Sequence, residues 1–75
     1  MPIKKKEMTF ELTQEFIELI KLLKLLGIAD TGGDAKSMVD NQEVYLNKVL
    51  ENRKRAKVRV GDTVETNDII IHITN

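Results

Sequence analysis

Seventy-five residues with twelve basic and twelve acidic side chains, one histidine and no cysteine make a single domain (1–75), formally neutral at pH 7. A chain this short hides only about 60% of the surface its unfolded form exposes, which leaves little room for a deep pocket. The missing cysteines exclude a disulfide scaffold and a thiolate metal site, no apolar run is long enough to span a membrane, and the opening MPIKKKEMTF meets Glu7 and Thr9 where a signal peptide needs continuous apolar residues, so a cytoplasmic protein is expected.

In chain order, Met8 to Leu12 reads as a short extended piece. Thr13 then stands where an N-cap would open a helix with Glu15 in its first turn. The apolar residues Phe16, Ile17, Leu19, Ile20, Leu22, Leu23, Leu25 and Leu26 predict roughly three to four turns closed by Gly27. Glu18, Lys21 and Lys24 mark the solvated side, and the leucine face is broad enough to need cover from more than one direction. TGGDAKSMVDNQ predicts a second, shorter helix capped by Thr31, with Asp34 at capping-box spacing and Ala35, Met38 and Val39 buried. Gly32 and Gly33 in its first turn cost about 1 kcal/mol each relative to alanine.

From Glu43 the period changes to two. Val44 and Leu46, an Asn47-Lys48 turn, and Val49 and Leu50 read as a small hairpin. Gly61-Asp62 and Asn67-Asp68 punctuate two further strands, Thr63 to Thr66 and Ile69 to Thr74, the last with Ile69, Ile71 and Ile73 on one face. The sum is an α+β domain, two helices packed on a small, mostly antiparallel sheet.

Neutrality hides a local concentration of charge. Five of the twelve cations, Arg53, Lys54, Arg55, Lys57 and Arg59, fall within seven residues that contain no acid. Read as extended, the segment projects Arg53, Arg55, Lys57 and Arg59 on one side as a row about 20 Å long. Lys54, Ala56, Val58 and Val60 take the other side, with Val58 and Val60 entering the core. Such a row suits a line of phosphates, which responds to the local field and not to the net charge. The other use of such a row is to guard an exposed sheet edge against pairing. Gly32 and Gly33 carry a similar choice, between backbone N–H groups offered to a phosphate at a helix N-terminus and a tight turn packed on the first helix.

Catalysis is not indicated. His72 has no companions at ligand spacing and reads as an ordinary strand residue, TGGDAK lacks the spacing of a phosphate-cradling loop, and Asp30 and Asp34 fall in caps or turns. Tyr45 is either a partly buried strand tyrosine or a platform for a base. No metal or cofactor is expected.

The order Leu22-Leu23…Gly27, Thr31-Gly-Gly-Asp-Ala35-Lys36, Val39-Asp-Asn-Gln-Glu-Val44-Tyr-Leu46-Asn47, Arg53-Lys54-Arg55 and Val60-Gly61-Asp62-Thr63-Val64 resembles the S4-type RNA-binding domain. It is closest in character to that family's small stand-alone bacterial branch, the YaaA/YbcJ-like proteins. The resemblance runs from about Phe16 to Val64. It implies the S4-type (αL) fold, a helix-turn-helix-like pair followed by a small sheet, with RNA against the second helix, the turn before it and the loop after the first hairpin. Lys36, Asn47, Lys48, Arg53, Lys54 and Arg55 fall on the implied RNA face; Gly32, Gly33 and Lys57 join them from the reading of charge and helix ends. The sequence departs from the family in three places: Thr31-Gly32 replaces a Ser-Arg pair, Gln42 stands where a glycine often precedes the hairpin, and Lys48 where a glycine often follows its asparagine.

The expectation is a non-catalytic, monomeric protein that binds structured RNA, ribosomal RNA or tRNA, by phosphate and shape contacts, in ribosome assembly or translation. An Arg53→Glu/Arg55→Glu double change is expected to abolish binding and leave the fold intact. The rival reading is a protein-interaction module, or a subunit lending RNA affinity, that docks its basic face on a ribosome-associated partner; Leu22 or Leu25 of the first helix would then be exposed as part of the contact.

Overall fold

Over residues 5–75, which this computed structural model describes, the chain forms β1 (Lys6–Glu11), β2 (Ile17–Glu18), α1 (Leu19–Leu25), α2 (Gly32–Asp40), β3 (Tyr45–Leu46), β4 (Val49–Leu50), β5 (Lys57–Val58), β6 (Thr63–Glu65) and β7 (Ile69–Thr74). Five strands make one mixed sheet in the order β1-β7-β6-β3-β4; β1 runs parallel to β7 and the other neighbours are antiparallel. The expected α+β class, with two helices and a mostly antiparallel sheet, is what the chain adopts.

Register explains which residues are inside. Met8, Ile71, Val64 and Leu46 stand side by side across four strands, and Ile71 and Val64 are fully buried. The neighbouring row, Glu7, Ile70, Glu65 and Tyr45, faces the other way, because successive side chains on a strand alternate faces. On that outer side Lys5 forms an ion pair with Glu65, and His72 Nε2 lies 2.8 Å from Glu7 Oε1. Leu19, Leu22 and Leu23 of α1 and Ala35 and Val39 of α2 close the core with Ile71, Ile73 and Val64.

The first helix starts later than its sequence predicts. Ile17 and Glu18 pair as a short strand with Val58 and Lys57, so Thr13 caps nothing and α1 has seven residues. Its first N–H groups, which a helix leaves without internal partners, are met from far along the chain: Leu19 donates to the Ala56 carbonyl at 2.9 Å and Ile20 to that of Lys54 at 3.3 Å. With backbone carbonyls in this role, Glu18 at the N-cap supplies no side-chain bond. Leu22 is buried and Leu25 is 62% exposed, which decides between the two leucines in favour of Leu25 as the outward one.

Both helices end in the same way. At Gly27 (φ 74°) the N–H bonds back to Lys24 and that of Ile28 to Leu23; at Gln42 (φ 62°) the N–H bonds to Val39 and that of Glu43 to Met38. This paired closure puts the residue just past the cap in the left-handed region, where glycine fits without strain. Gln42 is one of the three departures noted above, and it bears that strain. We expect Gln42→Gly to stabilise the fold by about 0.5–1 kcal/mol, relief of the left-handed cost exceeding the added freedom of the unfolded chain; urea unfolding measures it, and a destabilised variant would contradict it.

Candidate nucleic-acid interface

The basic segment is bent where an extended row was expected. Arg53 opens a turn, closed by the Ala56 N–H to Arg53 carbonyl bond at 3.2 Å; Lys57 and Val58 form β5, and a second turn joins the Asp62 N–H to the Arg59 carbonyl at 3.0 Å. The chain bends here because Ala56 and Val58 are drawn into the core while the Lys54 and Ala56 carbonyls turn to α1. Val60, expected inside, is 44% exposed, since the turn at Gly61 (φ 93°) ends the alternation before it. Despite the bend, Arg53, Arg55, Lys57 and Arg59 line one shallow depression of about 460 Å³ with Ala56.

The five cations are not equivalent. Arg53 grips Glu51 through Nε (3.1 Å) and one terminal nitrogen (3.3 Å), and its backbone N–H donates to the same carboxylate at 3.0 Å. Lys54 reaches Asp40 at the end of α2 at 3.2 Å. Lys57 and Arg59 stand over the Phe16 ring, 4.8 and 6.0 Å from its centroid, so an aromatic face helps hold both extended. Arg55 is exposed and makes no ion pair among the described residues.

Glu51 is buried, and it is the acid that fixes the start of the segment. The Arg53 side-chain hydrogen bonds hold its carboxyl below the usual carboxylate range; burial pushes the other way, and the Arg53 backbone N–H and charge add to the lowering. A carboxyl that gives up its proton more readily when folded stabilises the protein above the ordinary glutamate range, and that contribution disappears as pH falls through the range to the depressed value. Glu51→Gln is therefore expected to be less stable than the parent at neutral pH and to converge with it as the pH is lowered. Urea midpoints taken downward from neutral pH test this; a constant gap would contradict it.

The hairpin tip is tied to the other end of the segment. Asn47 (φ 53°) and Lys48 (φ 68°) are both left-handed, the pattern of a tight two-residue hairpin turn. The Asn47 side-chain amide accepts from the Thr63 N–H at 2.9 Å and donates to Asp62 Oδ1 at 3.1 Å, while Asp62 Oδ2 accepts from the Arg59 N–H at 2.8 Å. Both ends of the Asn47 amide are thus used inside the fold, and Lys48 is the exposed cation at the tip.

On α2, Thr31 Oγ1 accepts from the Asp34 N–H at 3.0 Å, as its capping spacing predicts. A Cβ at Gly32 would meet nothing within 4 Å, and one at Gly33 only Thr31 Oγ1 at an ordinary 3.6 Å; neither glycine has a positive φ. Close packing on α1 does not account for them. Lys36 and Asp40 are one turn apart on the same helix face, so the Lys54 to Asp40 contact sets the basic turn against the face that carries Lys36. Along the helix axis Gly32 and Gly33 lie about 5–6 Å beyond Lys36, and roughly 10–12 Å from Asp40, at about 1.5 Å per residue.

Of the expected residues, then, Arg53, Lys54, Arg55 and Lys57 lie on the turn, which Lys54 ties to the α2 face of Lys36; Asn47 and Asp62 tether the hairpin tip with Lys48, and the glycines lie one turn beyond Lys36 at the helix start. Sequence reasoning missed Glu51, Asp40 and Phe16 as partners of the cations; no local pattern marks them. Asp62 was visible within the Val60-Gly61-Asp62 motif but its bridging was not. Among the described residues no cluster of three or more metal-binding side chains forms, and no helix is long and apolar enough to cross a membrane.

Known proteins are similar to this chain in sequence. A Bacillus subtilis protein named "Probable ribosome maturation protein RlbA" is 41% identical over 51 residues, 68% of this chain and 72% of its own. An Escherichia coli protein named "Putative RNA-binding protein YbcJ" is 40% identical over 48 residues, 64% of this chain and 69% of its own. The pattern of the S4 domain matches residues 10–74, a span that takes in both helices, the hairpin, the basic turn and β7. With the match covering nearly the whole described fold, the chain belongs to the S4 domain family.

Proposed function

We propose that this protein binds structured RNA, ribosomal RNA or tRNA, without catalysing a reaction, and acts in ribosome maturation or translation. The observation that carries this reading is the depression lined by Arg53, Arg55, Lys57 and Arg59, next to the α2 face that carries Lys36 and Asp40. Phosphate neutralisation there supplies affinity, and the bend of the turn supplies shape selection. Family membership and the names of the two relatives point the same way. Gly32 and Gly33, which nothing inside the protein demands, fit a helix start that RNA backbone approaches closely.

Binding of a labelled structured RNA, with a matched DNA duplex as competitor, titrated from low to physiological salt, tests the reading. With four to six phosphates neutralised, log K falls against log salt with a slope of roughly −3 to −5. Equal affinity for RNA and DNA that vanishes by physiological salt would overturn it and favour a protein docked on the basic face. In the same assay Gly32→Ala/Gly33→Ala is expected to be more stable, by about 0.5–1 kcal/mol per site, yet to bind RNA more weakly. Undiminished binding would remove the glycines from the interface.

A further inference from the structure

Phe16, whose ring Lys57 and Arg59 stand over, also lines a surface of different character. A groove of about 770 Å³ runs between the end of β1, the 13–16 loop and the outer face of α1. Its apolar walls are Phe10, Phe16 and Leu25; its rim carries the carboxylates Glu11, Glu15 and Glu18. Lys21 is the one cation lining it, and none of the three glutamates forms an ion pair among the described residues. Glu18, Lys21 and Leu25 fall on one face of α1 by helical spacing. Leu25, 62% exposed, has no packing role there that its burial would reveal.

We propose that this groove docks a basic, partly apolar segment of a protein partner. The carboxylates at the rim repel nucleic acid and attract lysine or arginine, while the phenylalanines and Leu25 offer apolar side chains a place out of water. Charge complementarity thus commits the groove to a cationic peptide, and the same argument makes it a surface separate from the RNA face. Phe16 is common to both: Lys57 and Arg59 stand over its ring, and it lines the groove, whereas neither cation does. A chain with two such faces joins an RNA to a basic protein segment.

The test uses the full chain and two labelled probe peptides, one alternating lysine and leucine and one alternating glutamate and leucine, with structured RNA binding measured on the same preparations. The lysine peptide is expected to bind and the glutamate peptide not. Leu25→Lys, at an exposed position, and Glu11→Lys/Glu15→Lys are each expected to weaken the lysine peptide at least about tenfold, a loss of roughly 1.4 kcal/mol, with RNA affinity equal to or above that of the parent. Equal binding of the two peptides, or variants that hold the lysine peptide as tightly as the parent, would overturn the proposal. Since RNA is read separately, failure of the groove leaves the RNA face standing, and the reverse.

Discussion

Reversing Lys36 and Arg55 together, as Lys36→Glu/Arg55→Glu, is expected to lower RNA affinity by two to three orders of magnitude at physiological salt while the fold survives. Each phosphate neutralised contributes about 0.7–0.9 to the slope of log K against log salt, or roughly 0.6–0.7 log units at physiological salt relative to 1 M. Removing two cations therefore costs about 1.2–1.5 log units, and replacing them with acids about doubles that. Both side chains are exposed and unpaired among the described residues, so neither reversal leaves an internal partner stranded. The variant that the sequence alone suggests, Arg53→Glu/Arg55→Glu, is the wrong tool. It would set a second carboxylate against the buried Glu51, and a loss of binding would then be confounded with a loss of structure. A fluorescence titration with denaturant midpoints alongside decides the matter; full RNA affinity in the Lys36/Arg55 variant would remove this face from the interface.

Leu23→Ala should be the most damaging conservative change in the helices, costing about 2–5 kcal/mol. A 75-residue chain has about 4–11 kcal/mol in total by the usual per-residue range, so the variant stands near the limit of folding. Leu23 is fully buried, and its carbonyl receives the N–H groups of Ile28 and Ala29 where α1 ends, so the cavity opens at the joint between the two helices. Leu25→Ala, two residues on and exposed, is expected to change stability by less than about 0.5 kcal/mol. Urea unfolding of the pair separates the two; equal effects would mean the packing described is wrong.

That contrast shows where the sequence was readable. Apolar spacing located the first helix but could not rank its leucines, because with eight apolar residues in a row of eleven the polar side of Glu18, Lys21 and Lys24 is too narrow to settle which flanking leucine is covered. Local chemistry was legible where it is self-contained: the Thr31 cap, the Asn47-Lys48 turn, the Gly27 stop and the alternation of Ile69 to Ile73. What stayed hidden depends on partners distant in sequence. β2 and β5 have two residues each, too few to show a period, yet their pairing shortens α1 and bends the basic segment. The Glu51 and Asp40 contacts, which engage two of the five clustered cations, are likewise contacts of folded space and not of spacing. The residues of the basic face could be named from sequence; which of them carry free charge could not. Lys4, grouped with Lys5 and Lys6 as an N-terminal cluster, lies outside the described residues; Lys5 is engaged with Glu65 and Lys6 begins β1.

The parallel pairing of β1 with β7 joins Lys6 to Ile69 and Glu11 to Thr74, nearly the full length of the chain apart. β7 is also the strand that places Ile71 and Ile73 under the helices. During synthesis the first strand therefore has no neighbour, and the helices no floor, until the last strand has left the ribosomal exit tunnel. Folding must wait for β7 to emerge, and contacts this distant in sequence make it slow relative to a helical bundle of the same size. The basic turn, which leans on this same core, is therefore assembled only once β7 is in place.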